Sequence, residues 1–308
     1  ASKLKWVKEN EPEVYEKIYK YMLPGDFIAY KLTGEINTTR NGLSEGIIWD
    51  YKKNEIANWL LDFYGINPNL TPDLVDNFTN QGATNSKSSE ETGLNIGIPI
   101  TYRAGDQPNN ALALNVFDNG EVAASGGTSG VIYSITKDIN SKEPSRINHF
   151  AHVNYNDNNK SIGKLLCING AGIQYRWLRN HSVGKSYEKM NEAASSIPVG
   201  SEGISVIPFG NGAERMLNNK NIGTHICNIN LNQHSHGHLY RSSLEGIAFS
   251  FMYGMEILKN DNALINVVRA GNDNLFRSKI FANTVATLIG HEIEIYNTTG
   301  AFLSLIHI

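Results

Sequence analysis

The feature that most restricts this chain is a Gly/Ser/Thr turn, Ser125-Gly-Gly-Thr-Ser-Gly130, held between two apolar runs. Glu121-Val-Ala-Ala-Ser and Val131-Ile-Tyr-Ser-Ile-Thr read as strands, so the turn predicts a hairpin-like pair. A tight turn of this composition offers backbone N–H groups and two hydroxyls, a combination that suits a phosphate. Upstream, Ile98-Pro-Ile-Thr-Tyr-Arg-Ala104 reads as a strand with Ile98, Ile100 and Tyr102 on one face, and it hands Asp106 to an apolar helix at Ala111-Leu-Ala-Leu-Asn-Val. Strand-end loops are where α/β folds place their working groups. A carboxylate able to take a proton and a turn able to hold a phosphate together predict phosphoryl transfer. The residues alone leave blander roles open, since Asp is also a favoured helix N-cap and Gly/Ser/Thr clusters also mark ordinary turns.

The remainder of the chain is organised around this segment. Leu4, Val7, Val14, Ile18 and Met22 are spaced for one helical face, with Pro12 allowing a fresh start. The run from Asn37 to Tyr51 is polar and then apolar, and is expected to line a cleft wall where Arg40, Asn41 and Ser44 touch a polyol, or else to be a solvated loop. Glu55 to Gly65 predicts an amphipathic helix, and Ser86 to Leu94 a short capped helix closed by Gly93. After a turn cluster at Phe117–Gly120 the pattern becomes α/β. Strands are predicted at Lys164–Asn169, Gly203–Phe209, Ile265–Ala270 and Glu292–Tyr296, and helices from Ile173, over Leu239–Leu258 and over Phe276–Leu288. The helix Leu239–Leu258 places Leu244, Ile247, Ala248, Phe251, Met255 and Leu258 on one side. The densest histidine group, His234-Ser-His-Gly-His, reads as a surface loop.

Composition matters here for what it excludes. A length of 308 residues predicts about two domains, and a formal charge of −3 gives no basic footprint for nucleic acid. The two cysteines, Cys167 and Cys227, lie far apart with no ligand spacing, which points to thiols in a reducing compartment. No apolar run approaches the roughly 18 residues of a membrane span and no leader-like segment opens the chain, so a cytoplasmic protein is expected.

Taken in order, Lys3-Leu-Lys-Trp-Val-Lys-Glu-Asn, Gly105-Asp-Gln, Ser125-Gly-Gly-Thr-Ser-Gly, Gly170-Ala-Gly-Ile-Gln-Tyr-Arg-Trp-Leu-Arg and Arg241-Ser-Ser-Leu-Glu-Gly-Ile-Ala-Phe resemble the FGGY carbohydrate kinases. The resemblance runs to about Gly300. It implies the actin-like ATPase fold, a two-domain α/β architecture of ribonuclease H type with the ligand cleft between the domains. The expected domains are 1–117, the C-terminal part of a sugar-binding domain, and 118–302, a nucleotide-binding domain. It further implies ATP and Mg2+, with a sugar and ATP as small-molecule partners, no nucleic acid or membrane partner, and a homodimer as the assembly if the chain self-associates.

Residue by residue, the resemblance makes Asp106 the general base, able also to hold Mg2+ through water, and makes Gly105 and Gln107 its sugar-binding neighbours. It assigns Gly127, Thr128 and Ser129 to the nucleotide phosphates, with Gly170, Gln174, Gly271 and Asn272 around the nucleotide. From the residues alone, Gly170 is a strand-to-helix turn and Gln174 a surface residue. Glu245 is read as helix packing or a domain contact. Arg269-Ala-Gly-Asn-Asp-Asn departs from the family's common Gly-Gly-Gly form at the adenosine motif. The contexts Ala104-Gly-Asp-Gln-Pro-Asn-Asn, Cys167-Ile-Asn-Gly-Ala-Gly and Pro208-Phe-Gly-Asn-Gly-Ala-Glu-Arg are most similar to the xylulokinase branch, many members of which carry Asn in place of Gln107. D-xylulose is the expected substrate; other ketoses, gluconate, glycerol and a non-kinase ATP-binding module are the alternatives. The family's first phosphate turn is absent, and 303–308 resembles a translated sequencing adapter, so an internal, inactive piece of a longer kinase with a non-native tail is expected.

Overall fold

The computed structural model describes residues 1–182 and 186–298. The tail at 303–308 and the end of the second expected domain lie outside the described residues. The chain divides into two units, one of Ala1–Asn109 with His149–Ile162, the other of Asn110–Asn148 with the chain from Gly163 on. The division falls inside the helix that begins at Asp106, ahead of the turn cluster at Phe117–Gly120.

The first unit is built of short elements. Helices α1 (Ser2–Asn10) and α2 (Pro12–Tyr15) are separate because Pro12 has no N–H to continue a helix but suits the first position of a new one. Neither buries a residue, and no helix follows over 16–22. The single helical face expected through Leu4 to Met22 is therefore not formed. Helix α3 (Pro24–Thr33) starts on Pro24, ends at left-handed Gly34 and buries Asp26, Ala29 and Thr33. Strand β1 (Asn37–Thr39) leads into α4 (Arg40–Glu45), where the Thr39 hydroxyl caps the helix by accepting from the Gly42 N–H. Then come β2 (Trp49–Asp50), β3 (Glu55–Ile56), α5 (Asn58–Phe63) and β4 (Asp73–Val75), the last parallel to β1. Helix α6 (Ser86–Thr92) has a capping box between Asn85 and Ser88 and a left-handed Gly93 at its end. Helix α7 (Asp106–Ala113) opens on Asp106.

The strand expected over 98–104 is not there. That segment makes one isolated bridge, Ala83 to Pro99, flanked by hydrogen bonds from the Thr84 N–H to Ile98 O and from the Ile100 N–H to Gly82 O, and runs as irregular chain from Thr101 up to α7. Pro99 has no N–H to offer a ladder, which limits what the alternating apolar residues around it can pair with.

The second unit is a sheet with helices packed on it. Strands β5 (Glu121–Gly126) and β6 (Gly130–Thr136) are antiparallel in the register Val122 to Ser134 and Gly126 to Gly130. The chain passes to the first unit through β7 (Asn148–Ala151) and returns in β8 (Ile162–Ile168). Helices α8 (Gly172–Asn180) and α9 (Tyr187–Ser195), strands β9 (Ser205–Phe209) and β10 (Gly223–Cys227), helix α10 (His236–Asn260), strand β11 (Val267–Gly271), helix α11 (Lys279–Ile289) and strand β12 (Ile293–Tyr296) follow. The sheet runs β12-β11-β5-β6-β8, with β12, β11 and β5 parallel. β9 and β10 form their own antiparallel pair.

Helix α10 is the centre of this unit. Leu244, Ile247, Ala248, Phe251, Met255 and Leu258 are all at most 1% exposed. Phe251, Phe276 and Phe281 meet edge to face with ring centres 5.2 to 6.1 Å apart. Gly246 lets the helix lie against β9, since a Cβ there would stand 2.1 Å from the Val206 carbonyl oxygen. Glu245 is buried and accepts from the Gly200 N–H, the Ser201 hydroxyl and Arg241, so it packs the helix against its own unit. The histidine group is only partly a surface loop: His234 lies in the loop and His236 is exposed, but Ser235 and His238 form the capping box of α10, and His238 is buried.

Candidate active site

The second unit supplies the candidate for a phosphate-binding turn. The Gly126 to Gly130 register leaves Gly127, Thr128 and Ser129 as a three-residue loop between β5 and β6. Two glycines set how deeply it sits. A Cβ on Gly126 would meet Leu275 at 2.9 Å, and one on Gly130 would meet the Phe251 ring at 2.6 Å. The carbonyl side of the loop is tied to the start of α8: the Gly172 N–H donates to Gly127 O at 3.0 Å and the Ile173 N–H to Thr128 O at 3.1 Å. The Ser129 hydroxyl donates to Asn169 Oδ1 at 3.0 Å, and Thr128 is exposed. Gly170 has a left-handed φ of 87°, and its Cβ would fall 1.9 Å from the Pro208 carbonyl oxygen, so no other residue fits there.

A cavity of about 540 Å3 opens from the loop. Gly127 and Thr128 line it with Arg176, Tyr187, Asn191 and Ser278, among others. Tyr175 and Tyr187 stack at 5.7 Å, with the Arg179 guanidinium 4.6 Å from the Tyr187 ring centre. The Tyr175 and Ser278 hydroxyls both donate to Asn191 Oδ1, at 3.0 and 3.1 Å. Gln174 is buried, at 5% exposed, rather than on the surface. Its Oε1 accepts from the Thr224 hydroxyl at 2.8 Å, while its Nε2 is buried without a partner among the described residues. Gly271 and Asn272 are not brought to the cavity wall. Asn272 is joined to the end of β12 through Tyr296 O and Asn297, and the wall is made by the residues that follow, Asn274, Leu275, Arg277 and Ser278.

The first unit supplies the acid–base candidate. Asp106 is exposed at the first position of α7, and Gln107 Nε2 donates to its Oδ2 at 3.3 Å. A carboxylate is stabilised there by the helix dipole. Glu45, at the end of α4, faces the same backbone: a Cβ on Gly105 would lie 1.5 Å from Glu45 Oε1. Burial, then the charges of Asp106 and Asp26, push Glu45 up to about 7, against the lowering effect of the Gly105 N–H. Asn41 binds Gly105 N–H through Oδ1 and Ala151 O through Nδ2, and Ser44 accepts from the Ala151 N–H. Arg40 is paired with Asp76 and Asp157. Arg40 and Ser44 thus hold the unit together instead of facing a ligand. Sequence reasoning did not single out Glu45, Arg176, Tyr187, Asn191 or Ser278, because each acquires its neighbours only through packing.

Among the described residues no three His, Cys, Asp or Glu side chains group as a metal site, and no helix is long and apolar enough to cross a membrane.

The N-terminal domain of the FGGY family of carbohydrate kinases matches residues 1–113, and its C-terminal domain matches residues 122–302. A xylulose kinase of Bacillus subtilis is 25% identical over 267 residues, 86% of this chain and 52% of that protein. The crystal structure of a xylulose kinase from Rhodospirillum rubrum superposes with a TM-score of 0.85 at 23% identity, covering 97% of this chain and 60% of that one. A gluconate kinase from Lactobacillus acidophilus gives a TM-score of 0.86 at 19% identity, over 99% and 61% of the two chains. The chain therefore spans little more than half the length of these relatives. With both domain models matched in order along it, the chain belongs to the FGGY family of carbohydrate kinases.

Proposed function

We propose that the protein to which this chain belongs transfers the γ-phosphoryl group of ATP to a hydroxyl of a sugar, with D-xylulose as the acceptor and D-xylulose 5-phosphate as the product. The observation that carries the reading is Asp106, an exposed carboxylate at the first position of α7 within Gly-Asp-Gln. The sugar hydroxyl oxygen forms the new bond to the γ-phosphorus, its proton goes to the Asp106 carboxylate, and the bond from phosphorus to the β-phosphate oxygen breaks to release ADP. An ordinary Asp suffices as the base because much of the proton loss comes late in such a transfer. Gln107 both donates and accepts and so orients the acceptor.

The nucleotide belongs to the second unit. Gly127, Thr128 and Ser129 take its phosphates, and the cavity beside them, lined by Tyr175, Arg176, Tyr187, Asn191 and Ser278, suits the nucleoside. Mg2+ carried with the triphosphate would neutralise charge on its oxygens. The exposed Asp106 carboxylate fits a role at that ion's water shell, and the rest of the shell is expected from phosphates and water rather than from a protein cage. Xylulose is preferred over gluconate and glycerol on the strength of the branch-level likeness around Gln107 and Asn169 and of the relatives named xylulose kinase.

The test is sugar-dependent ADP release by the full-length protein over a panel of pentuloses, hexuloses, gluconate and glycerol. Xylulose is expected to give the highest kcat/KM, and Asp106→Asn to abolish turnover. ATP hydrolysis indifferent to every sugar would replace this reading with a non-kinase ATPase.

A further inference from the structure

The first unit holds a second cavity, of about 280 Å3, on the Gly105 side of Asp106. Asp26, Thr39, Asn41, Glu45, Arg103 and Gly105 are among the residues that line it. Arg103 defines its chemistry. Its Nε pairs with Asp26 at 2.8 Å, and its Nη2 donates to the carbonyl and side-chain oxygens of Asn37 at 2.7 and 2.6 Å. The side chain is only 10% exposed, and Nη1 is buried with no partner among the described residues. A buried guanidinium N–H without an acceptor is costly, so the cavity is incomplete without one. The same cavity is also lined by an acceptor, the Glu45 carboxylate lying over Gly105.

A hydroxyl is the group that serves both, since it accepts from an N–H and donates to a carboxylate. We propose that Glu45 and Arg103 bind non-reacting hydroxyls of a neutral sugar and so set acceptor specificity against sugar acids. The size agrees: the cavity lies just below the range of about 300–1,000 Å3 that takes drug-sized ligands. The charge pattern supplies the selectivity. Arg103 spends its charge on Asp26, which leaves Asp106, and Glu45 wherever it is ionised, to repel a carboxylate brought to the same place. A site built to hydrogen-bond hydroxyls also discriminates against ligands that lack them, because its own polar groups are then buried unpaired. The inference rests on the proposed reading only in taking Asp106 as the point of transfer.

The test is equilibrium binding of D-xylulose and D-gluconate to the full-length protein without nucleotide, followed by calorimetry, for wild type, Glu45→Gln and Arg103→Lys. Both substitutions are near in shape, and the second keeps a cation beside Asp26 while withdrawing Nη1. Wild type is expected to bind xylulose at least ~10-fold more tightly than gluconate, and each variant to weaken xylulose by ~10-fold. Glu45→Gln should also narrow the gap between the two ligands. Unchanged xylulose affinity in both variants at unchanged thermal stability, equal or tighter binding of gluconate by wild type, or binding of neither sugar, would overturn the inference. Xylulose binding that follows this pattern in a protein releasing no ADP would leave it standing and remove the kinase reading instead.

Discussion

Replacing Gly172 by Ala makes two rules of protein chemistry point in opposite directions. In an ordinary helix the change is favourable, by up to ~1 kcal/mol, because glycine loses more backbone freedom on folding. At this position the added Cβ would stand 2.3 Å from the Gly127 carbonyl oxygen and 3.1 Å from its carbon. Neither neighbour is the movable end of a side chain. Relief requires the loop to shift from the start of α8, and that shift opens the hydrogen bonds from Gly172 N–H to Gly127 O and from Ile173 N–H to Thr128 O. At ~0.5–1.5 kcal/mol each, their loss amounts to ~1–3 kcal/mol of loop positioning, or about 5- to 150-fold in affinity for whatever the loop holds. Gly172→Ala should therefore weaken ATP and ADP binding by at least ~5-fold while leaving sugar affinity unchanged. Titration of a fluorescent nucleotide, beside calorimetric titration of xylulose, measures both. Nucleotide affinity equal to wild type in the folded variant would show that the loop is not held by the helix as argued.

Four further outcomes follow from the same structure. Asp106→Asn keeps the shape of the side chain and removes the proton acceptor, so kcat should fall by ~100-fold or more with the nucleotide dissociation constant preserved; single-turnover kinetics and nucleotide titration check the pair. Thr128→Val removes the exposed loop hydroxyl at constant shape and should raise KM for ATP with little change in KM for sugar. The Lys164 and Asp261 side chains are fully buried and paired at 2.8 Å, so Lys164→Met strands the carboxylate and should cost ~3–5 kcal/mol in denaturant unfolding. Burial alone would raise the Asp261 carboxyl, but hydrogen bonds from Lys164, Ser141 and the Lys142 N–H outweigh it and hold it below the usual range. Its stabilisation is thus complete above the ordinary carboxylate pKa and lost as pH falls through the depressed folded value, so Asp261→Asn should flatten the acid limb of a stability–pH curve.

What could be read from the sequence was whatever depended on neighbours along the chain. The β5–β6 pair and its loop announce themselves through two apolar runs flanking glycines, and α10 through a stripe that packing then buries completely. The reading failed where local pattern and backbone chemistry disagreed. Ile98, Ile100 and Tyr102 alternate as a strand would, yet Pro99 between them cannot donate, and the segment stops at one isolated bridge. Leu4 to Met22 keep helical spacing, and the fresh start at Pro12 is there, but the second helix ends at Tyr15 and leaves Ile18 and Met22 in irregular chain. Gln174 looked like a surface residue because its helix is polar in composition, whereas Thr224 reaches it from a strand fifty residues on.

The same distinction runs through the candidate site. Asp106 and Thr128 sit in short motifs that alone also fit a helix cap and an ordinary turn, and it is through the order of several such motifs that they could be named without a fold. Glu45 and Arg103 could not: one ends a six-residue helix and the other lies in irregular chain, and either alone is an ordinary surface charge. They become a site only because Gly105 has no side chain to keep the Glu45 carboxylate away, and because Asp26 and Asn37 take three of the contacts Arg103 can make but leave Nη1 unpaired. Motif residues of this kind are the ones the family resemblance reaches, while the pair that packing assembles beside them is not part of any of those motifs. That is where a choice between a neutral sugar and a sugar acid is expected to be made, and it is why the reaction class was legible in the sequence before the acceptor was.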